Sequence, residues 1–392
     1  MATFEIKVKK IDSIEDHPNA DKLEIAVIGG YRSLIQIGQF KKGDYVVYLP
    51  EAAVLPNWLI KAVGLWNEDK GIGNLSGRQG NRVKAINLRG IVSQGLLYPV
   101  ETCASDELGC GYLVRGEVGG AVHLREDELL EKDFSQYLDI HKYEPPIPTN
   151  MAGEVANVFG HTIKYDVENL QNHWNTFDVD DEVVVTEKLH GTLMCVGKAE
   201  SDLGHKDLLN GNVIINSKGV SANGLCFKWN DENAHNLYVM TFKEHLLDKW
   251  DDIVSYFKDI FEDTPFFILG EVFGQGVQDL HYGHKNKKGY RVFDVYLGES
   301  SNGRFLDYDE LKLFCATMDI DMVPELYRGN FDFDTMTALR DGKETLSGEE
   351  SNMREGIVIK TVIEERTPTL SRKQLKFISP DYLTRKNGTE LN

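Results

Sequence analysis

Cysteine is sparse and unpaired in this 392-residue sequence: Cys103, Cys110, Cys195, Cys226 and Cys315 are five in number and contain no CxxC. An odd count without such a pair argues against both a disulfide framework and a structural zinc site, so reduced and mostly buried thiols are expected. Long hydrophobic runs are also missing. Nothing approaches the ~18 to 20 apolar residues needed to cross a bilayer, and no membrane partner is expected. The opening MATFEIKVKK goes directly into strand-like alternation, without the apolar core of a signal peptide, which predicts an intracellular protein. Basic charge is short as well. With 43 Lys and Arg against 62 Asp and Glu the formal charge is -19, which by itself opposes a nucleic-acid partner. A protein that grips few phosphates needs only a local basic groove, and HKNKKGYR (284 to 291) and SRKQLKF (371 to 377) are either such a groove or solvated loops. Internal repeats and low-complexity tracts are absent.

Proline is concentrated where it matters. Three prolines in four residues of KYEPPIPTN (142 to 150) block both helix and sheet, and place a linker between domains at 1–141 and 151–392. Upstream, FEIKVKKI, KLEIAVIG, SLIQIG, DYVVYLP, NRVKAINLRG and QGLLYPV are short alternating runs, the spacing of a small β-barrel. Downstream, VVVTEK, TLMCVG, NVIINS, PFFILGEVF, RVFDVYL, GIVIKTV and QLKFIS read as strands, with helices near 233 to 259, 307 to 317 and 331 to 341. Asp307 and Gly342 are the start and stop signals of the latter two. The whole is an α+β chain with mainly antiparallel sheet.

In VVVTEKLHGTLMCVG (183 to 197), Lys188 closes a strand and Gly191 is expected to turn the chain back into TLMCVG. A lysine at the rim of buried sheet faces a pocket. Its ordinary pKa of about 10.4 makes it a poor nucleophile unless burial or a neighbouring cation lowers it. KxxG alone is weak evidence, because Lys70-Gly-Ile-Gly73 matches it without a strand in front; the bland alternative for Lys188 is an exposed strand-end lysine.

Five further motifs follow in order. EKLHGT, NSKG, ILGEVFGQGVQDLHYG, YRVFDVYL, REGIVIK and LKFIS together resemble the covalent nucleotidyltransferase superfamily over roughly 155 to 380, and the KxHG form is most similar to the RNA ligase 2 family. IDSIEDHPNADKLEIAVIGG with KAINLRGIVSQGLLYPV resembles the OB fold of tRNA-binding domains, and an OB domain ahead of a ligase domain is the arrangement of the Deinococcus-type RNA ligases, or RNA ligase 5.

The resemblance implies an ATP-dependent ligase that joins RNA 3′-hydroxyl and 5′-phosphate ends, in a nicked duplex, as a monomer. Lys188 would attack the α-phosphate of ATP to give lysyl-AMP, and Glu187, His190 and Gly191 would line the same pocket. His190 cannot fully copy the aspartate that many relatives carry there. Lys218 would neutralise a phosphate, Glu271 would meet a ribose hydroxyl or a metal, and Phe293 would stack on adenine. Asp294 is expected on the opposite strand face from Phe293. Glu355 would hold Mg²⁺ or Mn²⁺. Lys376 would contact the α-phosphate and depress Lys188, with Lys373 or Lys360 as a second cation because Gln374 replaces the usual lysine. A DNA ligase, a capping-type guanylyltransferase and a catalytically silent RNA-binding protein are the alternatives.

Overall fold

The computed structural model describes residues 4–105, 110–117, 119–199, 203, 205–300, 302–386 and 388–389. They divide into two compact units, one of residues 3–144 with 170–174, the other of 145–169 with 175–392. Cys195, Cys226 and Cys315 are buried free thiols and Cys103 is half-buried, while the Cys110 side chain lies outside the described residues. Among the described residues no helix is long and apolar enough to cross a membrane.

Of the strands expected of a small barrel in the N-terminal unit, all but that of NRVKAINLRG, whose Ile86–Leu88 pairs with Ile91–Ser93, fall in two three-stranded antiparallel sheets, to which Ser13–Asp16 adds a strand not expected. One orders Val8–Lys10, Tyr45–Leu49 and Leu96–Pro99, and the other Ser13–Asp16, Leu23–Ile28 and Tyr31–Gln36. Tyr45–Leu49 reads as unbroken apolar sequence because both its faces are covered: Val47 and Leu49 enter one core cluster, Val46 and Tyr48 another. Short helices at Asn57–Ala62 and Glu126–Glu131 were not expected. Lys70 sits exposed between the two-residue strands Trp66–Asn67 and Ile72–Gly73, so a strand does precede the second KxxG, but no buried sheet surrounds it. Residues 170–174, assigned by sequence to the C-terminal domain, belong to this unit. Gln171 Nε2 donates to the Gly30 carbonyl at 2.7 Å and to Gln94 Oε1 at 3.0 Å, and the Tyr31 hydroxyl donates to Asn172 at 2.9 Å.

The C-terminal unit carries two five-stranded sheets. The first orders Glu168–Asn169, Gln374–Ile378, Gly356–Thr361, Glu182–Lys188 and Glu325–Asn330; the second orders Val213–Ser217, Thr192–Lys198, Phe266–Gly274, Lys288–Leu297 and Arg304–Phe305. All these pairings are antiparallel except that of Glu168–Asn169 with Gln374–Ile378. Glu182–Lys188 and Thr192–Lys198 therefore do not form the expected hairpin. Three residues, Leu189 to Gly191, carry the chain from one sheet to the other.

Helices Leu237–His245, Trp250–Phe261 and Tyr308–Thr317 supply Phe242, Trp250, Phe257 and Phe314 to a core shared with Met194, Ile215, Ile268 and Val292 of the second sheet. Asp307 begins the last of these as expected, its N–H donating to Glu310 at 2.9 Å, and Gly342 follows Phe333–Arg340 with a φ of +114°. Phe257 is 1% exposed and stacks on Phe266 with ring centroids 4.0 Å apart. Phe257→Ala should lower the unfolding free energy by roughly 3–5 kcal/mol, whereas Phe159→Ala, at a ring 83% exposed, should change it by less than about 0.5 kcal/mol. Denaturant titration of the two variants checks this, and a loss below about 1 kcal/mol at Phe257 would contradict the packing.

Candidate active site

The site is assembled by strand register. Lys188 pairs with Gly356, Thr186 with Val358, and Val358 with Lys376, and residues paired across strands share a face. Alternation therefore puts Lys188 and Lys376 on one side of the first sheet. A Cβ at Gly356 would lie 2.3 Å from the Phe377 carbonyl oxygen, so only glycine lets the strand pack there and leaves Glu355 at its end. Glu355 Oε1 lies 2.8 Å from Lys188 Nζ. From the second sheet, Leu193 pairs with Glu271. The glycine of KLHG is needed for close approach rather than for a left-handed turn: a Cβ at Gly191 would stand 2.0 Å from the Val272 carbonyl oxygen and 3.0 Å from Glu271 Cγ. Lys218 opens the short helix Lys218–Ala222 and pairs with Asp166 at 3.2 Å.

Three lysines and three carboxylates thus share one neighbourhood, and their charges are visibly coupled. Burial alone would lower the Lys188 pKa, but Glu355 and Glu271 outweigh it and hold the ammonium above its usual value. Burial, then the charge of Lys188, pushes Lys376 down to about 8. The expected depression thus falls on Lys376 and not on Lys188, because Lys188 has the carboxylate partner at hand. Burial also pushes the Glu271 carboxyl up to about 8, with Lys188 opposing the rise and Glu355 adding to it. A phosphate group placed beside Lys376 would favour its charged form against that burial.

Among the described residues no cluster of three or more His, Cys, Asp or Glu is arranged to enclose a metal ion by itself. Glu355 and Glu271 still offer hard oxygen, and Glu355 Oε2 is buried with no hydrogen-bond partner among the described residues. That donor set fits Mg²⁺, which takes one or two carboxylates and completes its shell with waters and phosphate oxygens. His190 is almost fully buried. Its Nε2 lies 2.8 Å from Asp279 and its Nδ1 2.8 Å from the Tyr382 hydroxyl.

A family profile described as RNA ligase matches residues 181–378, which takes in every motif from Glu187 to Lys376. The chain belongs to the RNA ligase family. An OB-fold domain profile matches residues 5–100, and the two matches together bear out the expected fold class. Among solved structures, a mutant of Naegleria gruberi RNA ligase with ATP and Mn is 22% identical over 97% of this chain and 98% of that one, with a TM-score of 0.70. The Naegleria gruberi RNA ligase with PPi is 21% identical over the same shares, with a TM-score of 0.69. These likenesses concern the fold. The phenylalanine tRNA ligase beta subunit of Clostridium tetani is 30% identical over 136 residues, 33% of this chain. The chain spans only 13% of the length of that curated relative.

Several residues of this RNA ligase family member lie elsewhere than expected. Glu187, next to Lys188 on a strand, necessarily points to the other face, where its carboxylate accepts from the Thr345 N–H at 2.8 Å and hydroxyl at 2.6 Å. Lys373 pairs with Asp181 at 2.7 Å and is spent there. Lys360 is buried against Asp294 at 2.9 Å, which removes it as a free phosphate-binding cation. Phe293 and Asp294 do not point to opposite faces. Leu269 pairs with Asp294 and Gly270 with Val292, so Phe293 is the extra residue of a β-bulge. Tyr165 consequently meets both, its ring 5.3 Å from Phe293 and its hydroxyl 2.7 Å from Asp294.

SRKQLKF is not a solvent-facing basic groove, since Arg372 is buried on Asp294 at 2.8 Å and on Glu364 at 2.6 Å. Gln374 donates to the Tyr165 hydroxyl at 2.9 Å, and a lysine there would have brought a third cation to one carboxylate. Tyr165, Asp166, Asp279, Arg372 and Tyr382 were missed by sequence reasoning. Asp279 and Arg372 stood inside quoted segments; the others carried no local signal.

Asp294 is fully buried and holds its carboxylate well below the usual range, Arg372 and Lys360 outweighing the burial that opposes ionisation. Asp294→Ala would strand the buried Lys360 and leave Arg372 with Glu364 alone, and should cost on the order of 3–5 kcal/mol at neutral pH. A folded-state pKa below the unfolded value of about 3.9 means that the stabilisation is complete above that pH and fades as pH falls beneath it. Melting of wild type and variant across pH tests this: the gap should be full at neutral pH and narrow in acid, and a gap that widens on acidification would overturn the assignment.

Proposed function

We propose that this protein is an ATP-dependent RNA ligase that works through lysyl-AMP, of the Deinococcus-type arrangement with an OB-fold unit before the ligase unit. The observation that carries the reading is the convergence of Lys188, Lys218 and Lys376 with Glu355 and Glu271 in one neighbourhood, where burial and the charge of Lys188 hold Lys376 down to about 8. Lys188 Nζ, after giving up a proton, forms a bond to the α-phosphorus of ATP, and the bond from that phosphorus to the bridging oxygen breaks to release pyrophosphate. The AMP then passes to a 5′-phosphate, and a 3′-hydroxyl attacks that phosphate and displaces AMP. Lys376 and Lys218 balance charge on the phosphoryl oxygens, Phe293 with Tyr165 offers an aromatic face to the base, and Glu271 accepts from a ribose hydroxyl.

Glu355 and Glu271 would hold Mg²⁺, which when bound supplies Lewis-acid stabilisation of phosphoryl charge. The pairing of Lys188 with Glu355 at 2.8 Å favours the protonated lysine, so loss of that pairing would favour the neutral amine. The substrate is RNA with 3′-hydroxyl and 5′-phosphate ends in a nicked duplex, the OB-fold unit contributes grip on nucleic acid, and the protein acts as an intracellular monomer.

Intact-mass measurement after incubation with Mg²⁺ and ATP, GTP or NAD separately tests the first step. An AMP adduct from ATP alone is expected, lost in both Lys188→Ala and Lys188→Arg because arginine stays protonated. An adduct surviving in either variant would displace Lys188 as nucleophile, and a GMP adduct would favour the capping-type alternative. Sealing of nicks with ribose or deoxyribose at the 3′-hydroxyl side tests the substrate, and equal use of both would make it a DNA ligase. Glu355→Ala should abolish sealing by two orders of magnitude or more, roughly the weight of several kcal/mol of lost charge stabilisation, with little change in melting temperature. Retained sealing with a large melting loss would make Glu355 structural.

A further inference from the structure

The chain after its last strand touches the KxHG histidine through groups that the ligase motifs leave without a role. Tyr382 lies in the short helix Pro380–Leu383, is 5% exposed, and sets its ring edge-on to His190 with centroids 5.2 Å apart. Arg385 stacks on Tyr382 at 3.6 Å and donates to Asp279 Oδ2 at 2.9 Å and Oδ1 at 3.1 Å. The Thr389 N–H and hydroxyl each reach Asp279 Oδ1 at 2.8 Å. Asp279 Oδ1 also lies 2.8 Å from His190 Nε2.

The direction of these bonds follows from what each atom can do. Burial opposes ionisation of Asp279, but hydrogen bonds from His190, Arg385 and Thr389 outweigh it and keep it a carboxylate, which can only accept. The proton of the imidazole therefore sits on Nε2. Arg385 Nη2, 3.3 Å from the same nitrogen, is the longer contact and has Asp279 and the Thr389 carbonyl for its protons. Nδ1 keeps its in-plane lone pair, and the Tyr382 hydroxyl at 2.8 Å donates to it. Glu355 Oε2 stands 3.7 Å from that nitrogen, beyond hydrogen-bond reach, and finds no partner there. With the proton moved to Nδ1 and the ring shifted away from Tyr382, His190 would be placed to donate to Glu355 and occupy it.

We propose that Tyr382, Arg385 and Thr389 are positioning residues of the site, among which the Tyr382 hydroxyl fixes the Nε2–H form of His190 and so leaves Glu355 Oε2 open to a divalent cation. The inference rests on the ligase reading of Glu355. Tyr382 and Arg385 touch no reacting atom in this scheme; they act through His190.

The full chain labelled with ¹⁵N-histidine tests it, His190 being identified by its absence in His190→Gln. Long-range proton–nitrogen correlation should show Nε2–H in wild type and a displaced or exchange-averaged Nδ1 signal in Tyr382→Phe. The Mg²⁺ concentration for half-maximal AMP adduct should rise roughly fivefold in Tyr382→Phe, the weight of about one hydrogen bond, with maximal adduct recovered at high Mg²⁺ and the melting temperature unchanged. Arg385→Gln, which keeps the hydroxyl but loosens it, should give a smaller shift of the same sign. Protonation at Nδ1 in wild type, or Tyr382→Phe indistinguishable in both spectrum and Mg²⁺ dependence, overturns the proposal. The spectrum needs no ATP, so an Nε2–H form without any AMP adduct would remove the ligase reading while retaining the positioning of His190.

Discussion

The two sheets of the C-terminal unit are tied across their cleft by one buried carboxylate. Asp294, on the second sheet, meets Lys360 of the first sheet at 2.9 Å and Arg372, just before its last strand, at 2.8 Å. A buried ion pair is not by itself a source of stability, since desolvation consumes most of the Coulomb gain. What it does impose is geometry, because neither cation can leave without stranding the other charge. Tyr165 adds a hydroxyl to the same carboxylate and a ring to Phe293. The aromatic wall proposed for the base is thereby fixed by the same bonds that hold the sheets together. The cost of burying three charges is met once, and the cleft is preset to width before any nucleotide arrives.

At the other end of the cleft the balance is left unfinished. Asp294 has two cations, whereas Lys376 forms no carboxylate ion pair among the described residues, and burial and the charges of Lys188 and Lys218 outweigh the pull of Asp166 and Glu355. Burial contributes most to holding Lys376 down to about 8, and the charge of Lys188 adds to it. A triphosphate entering there would relieve both Lys376 and the raised carboxyl of Glu271, the latter by bringing a cation with it. Binding and catalysis would then draw on strain stored in the unliganded charges, while the rigid Asp294 clamp keeps the lysines from moving apart to relieve it.

How much of this was legible follows from how local each signal is. Lys188, Glu355, Glu271, Lys218 and Lys376 were readable because each breaks an apolar strand or opens a turn, and charge in such a position needs a reason. Glu187 broke the same strand, but period-two alternation sends it to the far face, and adjacency in sequence concealed that. Lys360 and Lys373 were ambiguous for another cause. Their partners, Asp294 and Asp181, are 66 and 192 residues away, and no pattern in one sequence pairs such positions. The bulge at Phe293 moved the next residue to the same face, an event that alternation cannot anticipate. The crossing at Gly191 looked like a hairpin turn because a glycine needed for close approach and one needed for left-handed backbone are the same letter.

The histidine of KLHG raises the remaining chemical question, how a site that many relatives build around an aspartate works without it. An aspartate after the nucleophile would present negative charge directly to a hydrated cation. His190 presents none, and its Nε2–H is turned away to Asp279. The carboxylate has in effect been moved one residue outward, behind the imidazole, where Arg385 and Thr389 neutralise and fix it. In the proposed scheme the ligands for a cation would then come from Glu355 and Glu271. That makes Glu355 more exacting than it would be beside an aspartate, since any group that bonds its free oxygen subtracts from a smaller total. Keeping the imidazole nitrogen facing Glu355 unprotonated is the least costly way to protect that oxygen, and it requires an acceptor on the other side of the ring, Asp279, and a donor to that nitrogen itself, the Tyr382 hydroxyl.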